Sequence, residues 1–138
     1  MIKYPTKEEI LSNPPILDEK LIEIVKIWKN VEMKNWNKKE NWEQFISLEI
    51  LTEIISALLK KKAPKFLIGN EYSYTPKHKI ITIDIDKPSI ISILHELGHH
   101  LFGNSELEAC RWSIWLFKEC FPSSYKKLEW KGHLLIKK

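Results

Sequence analysis

Apolar residues recur along this chain with two periods, and the changes between them mark out the elements. From Asp18, which suits a helix N-cap, Leu21, Ile24, Val25 and Trp28 follow helical spacing. The stretch Asn35 to Asn41 is polar and reads as a connection. A second helix is expected from about Trp42 to Lys61, where Phe45, Leu48, Leu51, Ile54, Ile55 and Leu58 leave few polar sides. A helix that apolar belongs behind a sheet, and Pro64 closes it. Phe66 to Ile68 and Glu71 to Tyr74 are strand candidates separated by Gly69-Asn70, and Thr75-Pro76-Lys77-His78 supplies a turn. Lys79 to Ile85 gives the clearest alternation, with Ile81, Ile83 and Ile85 on one face and Thr82 and Asp84 on the other. Helical spacing then returns, from Asp86 and Pro88 to about Phe102 and again from Ser105 to just before Pro122, divided at Gly103-Asn104. In the last helix Leu107, Cys110, Ile114, Phe117 and Phe121 form an apolar stripe.

This order predicts an α+β fold: a small antiparallel or mixed sheet with a backing helix, closed by two further helices. Pro5, Pro14 and Pro15 make residues 1–16 an irregular arm with one turn of helix after Thr6. The arm and first helix (1–41), the central unit (42–121) and a lysine-rich tail (122–138) carrying Leu134-Leu135-Ile136 are expected to form one globular body.

Composition narrows the class. A hydrophobic content of 43% with six tryptophans argues against disorder. No apolar run approaches the roughly 20 residues of a membrane span, and MIKYPTKEEI has no signal-peptide core, so a soluble cytoplasmic protein is expected. Cys110 and Cys120, on one helix, would lie about 15 Å apart, too far for a disulfide, and fit a reducing compartment. The net charge of +4 comes from scattered lysines with Arg111 as the only arginine, a pattern of a solvated surface rather than a nucleic-acid footprint. Abundant Lys, Glu and Ile with one glutamine suggests a thermophile.

Within the helix that ends near Phe102 lies His95-Glu96-Leu97-Gly98-His99. Residues four apart share a helix face, so His95 and His99 can offer imidazole nitrogens to one metal ion. Glu96 sits about 100° around the axis, placed to act on an attacking water instead. One Zn2+ suits such ligands, and a neighbouring carboxylate can serve as general base. Glycine inside a helix costs about 1 kcal/mol relative to alanine, so Gly98 asks for a close neighbour, which the following helix would supply.

A catalytic zinc takes a third protein ligand. His100, Glu106, Glu108, Glu119 and His133 follow the motif, and His100 points about 100° away from His99. A glycine three residues after His99 and a histidine six after it would signal a metzincin, but Phe102 and Ser105 stand there. Glu106 and Glu108 lie about 160° apart around their helix. Glu108 shares a face with Trp112 and Trp115, while Ser105-x-x-Glu108 also fits a capping box.

HELGH followed by a helix containing Glu-Ala resembles the gluzincin clan of zinc peptidases. The resemblance implies His95, His99 and Glu108, which precedes Ala109, as metal ligands and Glu96 as the catalytic general base. The short chain and the element order resemble the minigluzincins, minimal archaeal and bacterial peptidases that are zymogens with a terminal segment in the cleft. Residues 42–121 would be a minimal zincin catalytic domain, and the product a zinc-dependent endopeptidase acting on a peptide or protein substrate. HELGH also resembles the ImmA/IrrE-type regulatory peptidases, although Cys110 replaces the asparagine common there. A zincin kept as a binding module without turnover is a further alternative. Tyr72, Tyr74, Tyr125, His133 and Arg111 are candidate oxyanion donors, and Lys79 to Ile85 or Glu71 to Tyr74 could receive substrate by strand addition. For latency, either the proline-rich arm or the tail from Tyr125 could fill the cleft, in its own molecule or in a homodimer formed through the terminal segments. Trp130 and His133 are the tail's candidate anchors.

Overall fold

A computed structural model describes residues 4–138; the first three residues of the expected arm lie outside that range. The described elements run α1 (Lys7–Ser12), α2 (Glu19–Glu32), a 3-10 turn (Trp36–Lys38), α3 (Asn41–Leu58), β1 (Lys65–Gly69), β2 (Ser73–Thr75), β3 (Ile80–Asp84), α4 (Ile90–Phe102), α5 (Glu106–Cys120), α6 (Pro122–Lys126), β4 (Leu128–Lys131) and β5 (Leu134–Lys137). The fold is α+β. Its helix starts follow local chemistry. Asp18 accepts from Lys20 N–H at the head of α2, and Thr6 and Glu9 close a reciprocal capping box on α1.

The three-stranded sheet is mixed, in the order β1-β3-β2. β3 runs parallel to β1 and antiparallel to β2, so it is the centre, with Ile81 and Ile83 buried as their alternation predicted. Having both edges paired, β3 cannot accept a further strand; of the two segments nominated for strand addition, only the one ending in β2 keeps a free edge. Lys79, at φ 54, turns the chain between β2 and β3.

The core lies between the sheet and α2 to α5. Val25, Leu48, Leu51, Ile55, Ile81, Ile93, Leu94, Leu97 and Leu116 are all fully buried there. Sequence reading expected α3 to be covered on most sides, and this needs correction. Its Leu48, Leu51 and Ile55 are buried, but Ile46 and Ile50 reach solvent beside Ile27 and Val31 of α2. The two helices pack side by side, leaving a shallow apolar depression of about 320 Å3 between them.

Sequence patterning assigns no element to the lysine-rich tail. It forms α6 and a two-stranded hairpin in which Lys131 pairs with Leu134 across Gly132-His133. Gly132 has φ 62, the left-handed backbone that the first position of a two-residue II′ turn demands. Runs of lysine hid these short strands, because only Leu128, Trp130, Leu135 and Ile136 turn inward. Among the described residues, no helix is long and apolar enough to cross a membrane.

Candidate metal centre

The centre is built where α4 and α5 meet. Ser89 caps α4, its Oγ accepting from Ser92 N–H at 3.2 Å. At the other end Gly103, with φ 95, donates its N–H to His99 O and turns the chain back. Ser105 then caps α5 by accepting from Glu108 N–H at 3.2 Å. The two helices can close because Gly98 faces Ala109. A Cβ at position 98 would lie 3.1 Å from Ala109 Cα and 3.3 Å from its Cβ. The missing side chain thus has the packing reason that its helical position called for.

That contact selects the face of α5 turned towards the motif. Residues three apart share a helix side, so the side bearing Ala109 also bears Glu106. Glu106 Oε1 lies 2.7 Å from His99 Nε2, and its Oε2 lies 3.3 Å from His95 Nε2. The three donor atoms all fall within 4.8 Å of one another, so this group could bind a metal ion. Glu108 points away. It is solvent-exposed, about 200° around α5 from Glu106, and reaches Ser105 only through its backbone N–H. The structure therefore brings Glu106, rather than the expected Glu108, to His95 and His99, and these three form the group that could hold a metal ion. The signal that could have found it was the Gly98–Ala109 pair, since the face bearing Ala109 includes position 106 and excludes 108.

The donor set fits a zinc ion on this structure's own geometry. His99 Nδ1 lies 2.9 Å from Gly103 O, and because a carbonyl only accepts, the ring proton sits on Nδ1. Nε2 donates to Glu106 Oε1 at 2.7 Å, and a metal ion taking the place of that proton would meet the Nε2 lone pair, with the outer bond holding the ring as it does for most metal-bound histidines. His95 likewise turns Nε2 into the cluster, with Nδ1 against Cys110 Sγ at 3.7 Å. The charges agree with this arrangement. Hydrogen bonds from His95 and His99 hold the Glu106 carboxyl well below the ordinary carboxylate range. Glu106 in turn raises the affinity of His99 for a proton. Two imidazole lone pairs and a carboxylate converging this closely are partners for one shared cation.

Glu96 is buried beside the triad, and desolvation pushes its carboxyl above the ordinary value, with His95 and His99 pulling the other way. It opens with His95 and Glu106 onto a cavity of about 270 Å3. Tyr72, Ser92 and Ile91 form one wall, and His133, Leu134 and Leu135 of the hairpin lie across the cavity. His133 Nε2 comes within 3.8 Å of Glu106 Oε2. Burial lowers its affinity for a proton, which favours a neutral ring. Cys110 is buried between the triad and the hairpin, and burial followed by the Glu106 charge pushes its thiol up to about 12.

The remaining sequence candidates lie elsewhere. His100 is a cross-link: its Nε2 donates to Lys62 O at 2.6 Å and its Nδ1 faces Tyr74 Oη at 2.8 Å. Arg111 donates twice to Glu9 O, and Tyr125 packs against Lys118. Of the nominated oxyanion donors, Tyr72 and His133 line the cavity. Tyr72 spends its hydroxyl proton on Lys87 O at 2.5 Å. Cys110 and Cys120 are both free and buried. Comparison with family models, with curated proteins and with solved structures gives no match.

Proposed function

We propose that this chain is a small zinc peptidase of the zincin type, held shut by its own C-terminal hairpin. The observation that carries the reading is the convergence of His95 Nε2, His99 Nε2 and a Glu106 oxygen within 4.8 Å beside the buried Glu96. That set matches the two-histidine, one-carboxylate donors of catalytic zinc sites, and it extends the likeness of HELGH to the gluzincins with Glu106 as the acidic ligand.

Zinc bound there would polarise the scissile carbonyl and acidify the attacking water. Glu96 takes the proton from that water and passes it to the leaving amine. Its raised proton affinity suits both roles, because a base that must also donate works best near the operating pH. Ile91 and Ser92 of α4 and Tyr72 beside β2 shape the wall that a peptide would meet. The free edge of β2 is where an extended substrate strand would add, and its main-chain bonds would fix the scissile bond in the cleft. The hairpin narrows that space: His133 stands beside Glu106 where water and substrate would enter, and Leu134 and Leu135 line the cavity.

The same occlusion favours one other reading. His133 Nε2 lies 3.8 Å from Glu106 Oε2, and if it joined the three donors as a fourth ligand the shell would be closed, as in structural zinc, which would make the protein a binding module.

Metal analysis of purified wild type, Glu106→Ala and Glu108→Ala tests the site. One zinc per chain is expected in the wild type and in Glu108→Ala, with at least tenfold weaker binding in Glu106→Ala. Tight zinc retained by Glu106→Ala, or none in the wild type, would remove the proposed centre. Peptide cleavage by His133→Ala separates the two readings. Turnover that rises and disappears in the added Glu96→Gln change supports the peptidase, whereas zinc without turnover supports the module.

A further inference from the structure

The hairpin that covers the metal centre has little of its own to hold it there. Two strands of four residues are marginal in water, and apart from the adjoining α6 and Leu128, which packs on the main core, this pair leans on a small patch. Trp130 and Leu135 pack on Ile10, Cys110 and Ile114. Ile10 is contributed by α1 and is fully buried. The N-terminal segment therefore forms part of the seat of the C-terminal one.

Further contacts follow the same line. Lys7 Nζ stands 5.7 Å above the centre of the Trp130 ring. The Tyr4 ring stacks on His133 itself, with centroids 4.5 Å apart and planes within 8°. On its other side α1 is tied to α5: Arg111 Nε and Nη2 donate to Glu9 O at 3.3 and 3.0 Å, and Trp115 Nε1 donates to Ile10 O at 3.0 Å. A six-residue helix cannot persist alone, so these bonds and its capping box fix α1 in place. The chain of contacts runs from α5 through α1 to the hairpin turn, ending on the imidazole beside Glu106.

We propose that α1 and Tyr4 are a latch that keeps the β4–β5 hairpin over the metal centre, so that loosening the N-terminal segment opens the site at the other end of the chain. This rests on the reading above of a centre kept shut by the hairpin. The consequence is a form of control that needs no cut in the tail. A protease, or another protein that captures the apolar face of α1, would release His133 while leaving α4 and α5 intact.

The test is amide hydrogen exchange on the full chain carrying Tyr4→Ala and Lys7→Ala together, beside wild type, with and without added zinc. Both residues are exposed, so their replacement leaves the core intact. Loss of one stack and one cation–π contact is expected to speed exchange in residues 128–137 about tenfold, with α4 and α5 unchanged. Trp130→Ala should give a similar acceleration, and less than an additive further one when combined with Lys7→Ala. Unchanged exchange in the hairpin, or equal acceleration throughout the chain, would overturn the latch. Peptide cleavage is read on the same samples. A hairpin that opens without any cleavage leaves the latch standing and removes the peptidase reading, so the two failures are distinct.

Discussion

Gly98 carries no side chain, and the approach of α5 to α4 depends on that. The atoms nearest a Cβ at this position belong to Ala109, including its backbone Cα at 3.1 Å, which cannot move without shifting the helix that bears Glu106. Gly98→Leu should therefore lower stability by about 3 kcal/mol through overpacking, and it should also weaken zinc binding by moving Glu106 away from the histidines. Denaturant titration and metal competition check the two effects. Wild-type zinc affinity in that variant would mean that α5 is not positioned by this contact. The glycine itself was legible in the sequence, as was the face shared by His95 and His99. The Glu-Ala resemblance points to Glu108, the carboxylate next to Ala109, whereas the fold places Glu106 beside the histidines. On a helix, adjacent residues diverge by about 100°, so a residue three positions before Ala109 shares its face and its immediate neighbour does not.

Between elements, the end of α2 is pinned to α3 by one carboxylate. Glu32 Oε2 accepts from Lys39 Nζ at 3.1 Å and from Ser47 Oγ at 3.0 Å. The Lys39 hydrogen bond is the largest influence on Glu32 and lowers its pKa. A carboxylate whose folded pKa is depressed stabilises the fold fully above its unfolded value of about 4.3, and the contribution is lost as pH falls through the folded value. Glu32→Gln should cost about 0.5 kcal/mol at pH 7, because water screens this pair, and should match wild type at a pH acid enough to protonate Glu32 in the folded chain. Thermal unfolding at both pH values checks this, and a cost that persists in acid would assign the effect to packing. Element types were largely readable: periodicity located α2, α3, α4, α5 and the central strand β3. The tail hairpin was missed, since two four-residue strands, each ending in a lysine, give a weaker signal than any helix. Likewise, the apolar sides of α3 could not reveal that Ile46 and Ile50 would be left facing solvent.

In the whole molecule, the cavity over the candidate metal centre gathers pieces that the chain keeps far apart. His95 and Glu106 come from adjacent helices, while Tyr4 and His133 come from opposite ends and stack on each other. A ligand held only by the folded arrangement must stabilise it, so zinc at about a thousand times its dissociation constant should add about 4 kcal/mol. The midpoint of thermal unfolding should rise with zinc concentration and fall back on chelation. A midpoint indifferent to zinc, with chelator controls, would argue against binding to the folded chain. By itself, the sequence determined the α+β class, the order of the main elements, the paired histidines with Glu96 between them, and the need for a small residue at Gly98. Each of these follows from local rules: residue spacing, caps and breakers act within a few positions. Only the tertiary structure decided that Glu106 completes the triad, that β3 is central and β2 an edge, and that the two termini meet over the cavity. Those outcomes depend on which faces of α4, α5 and α1 pack together, and packing is settled by the shape and burial of residues distant along the chain.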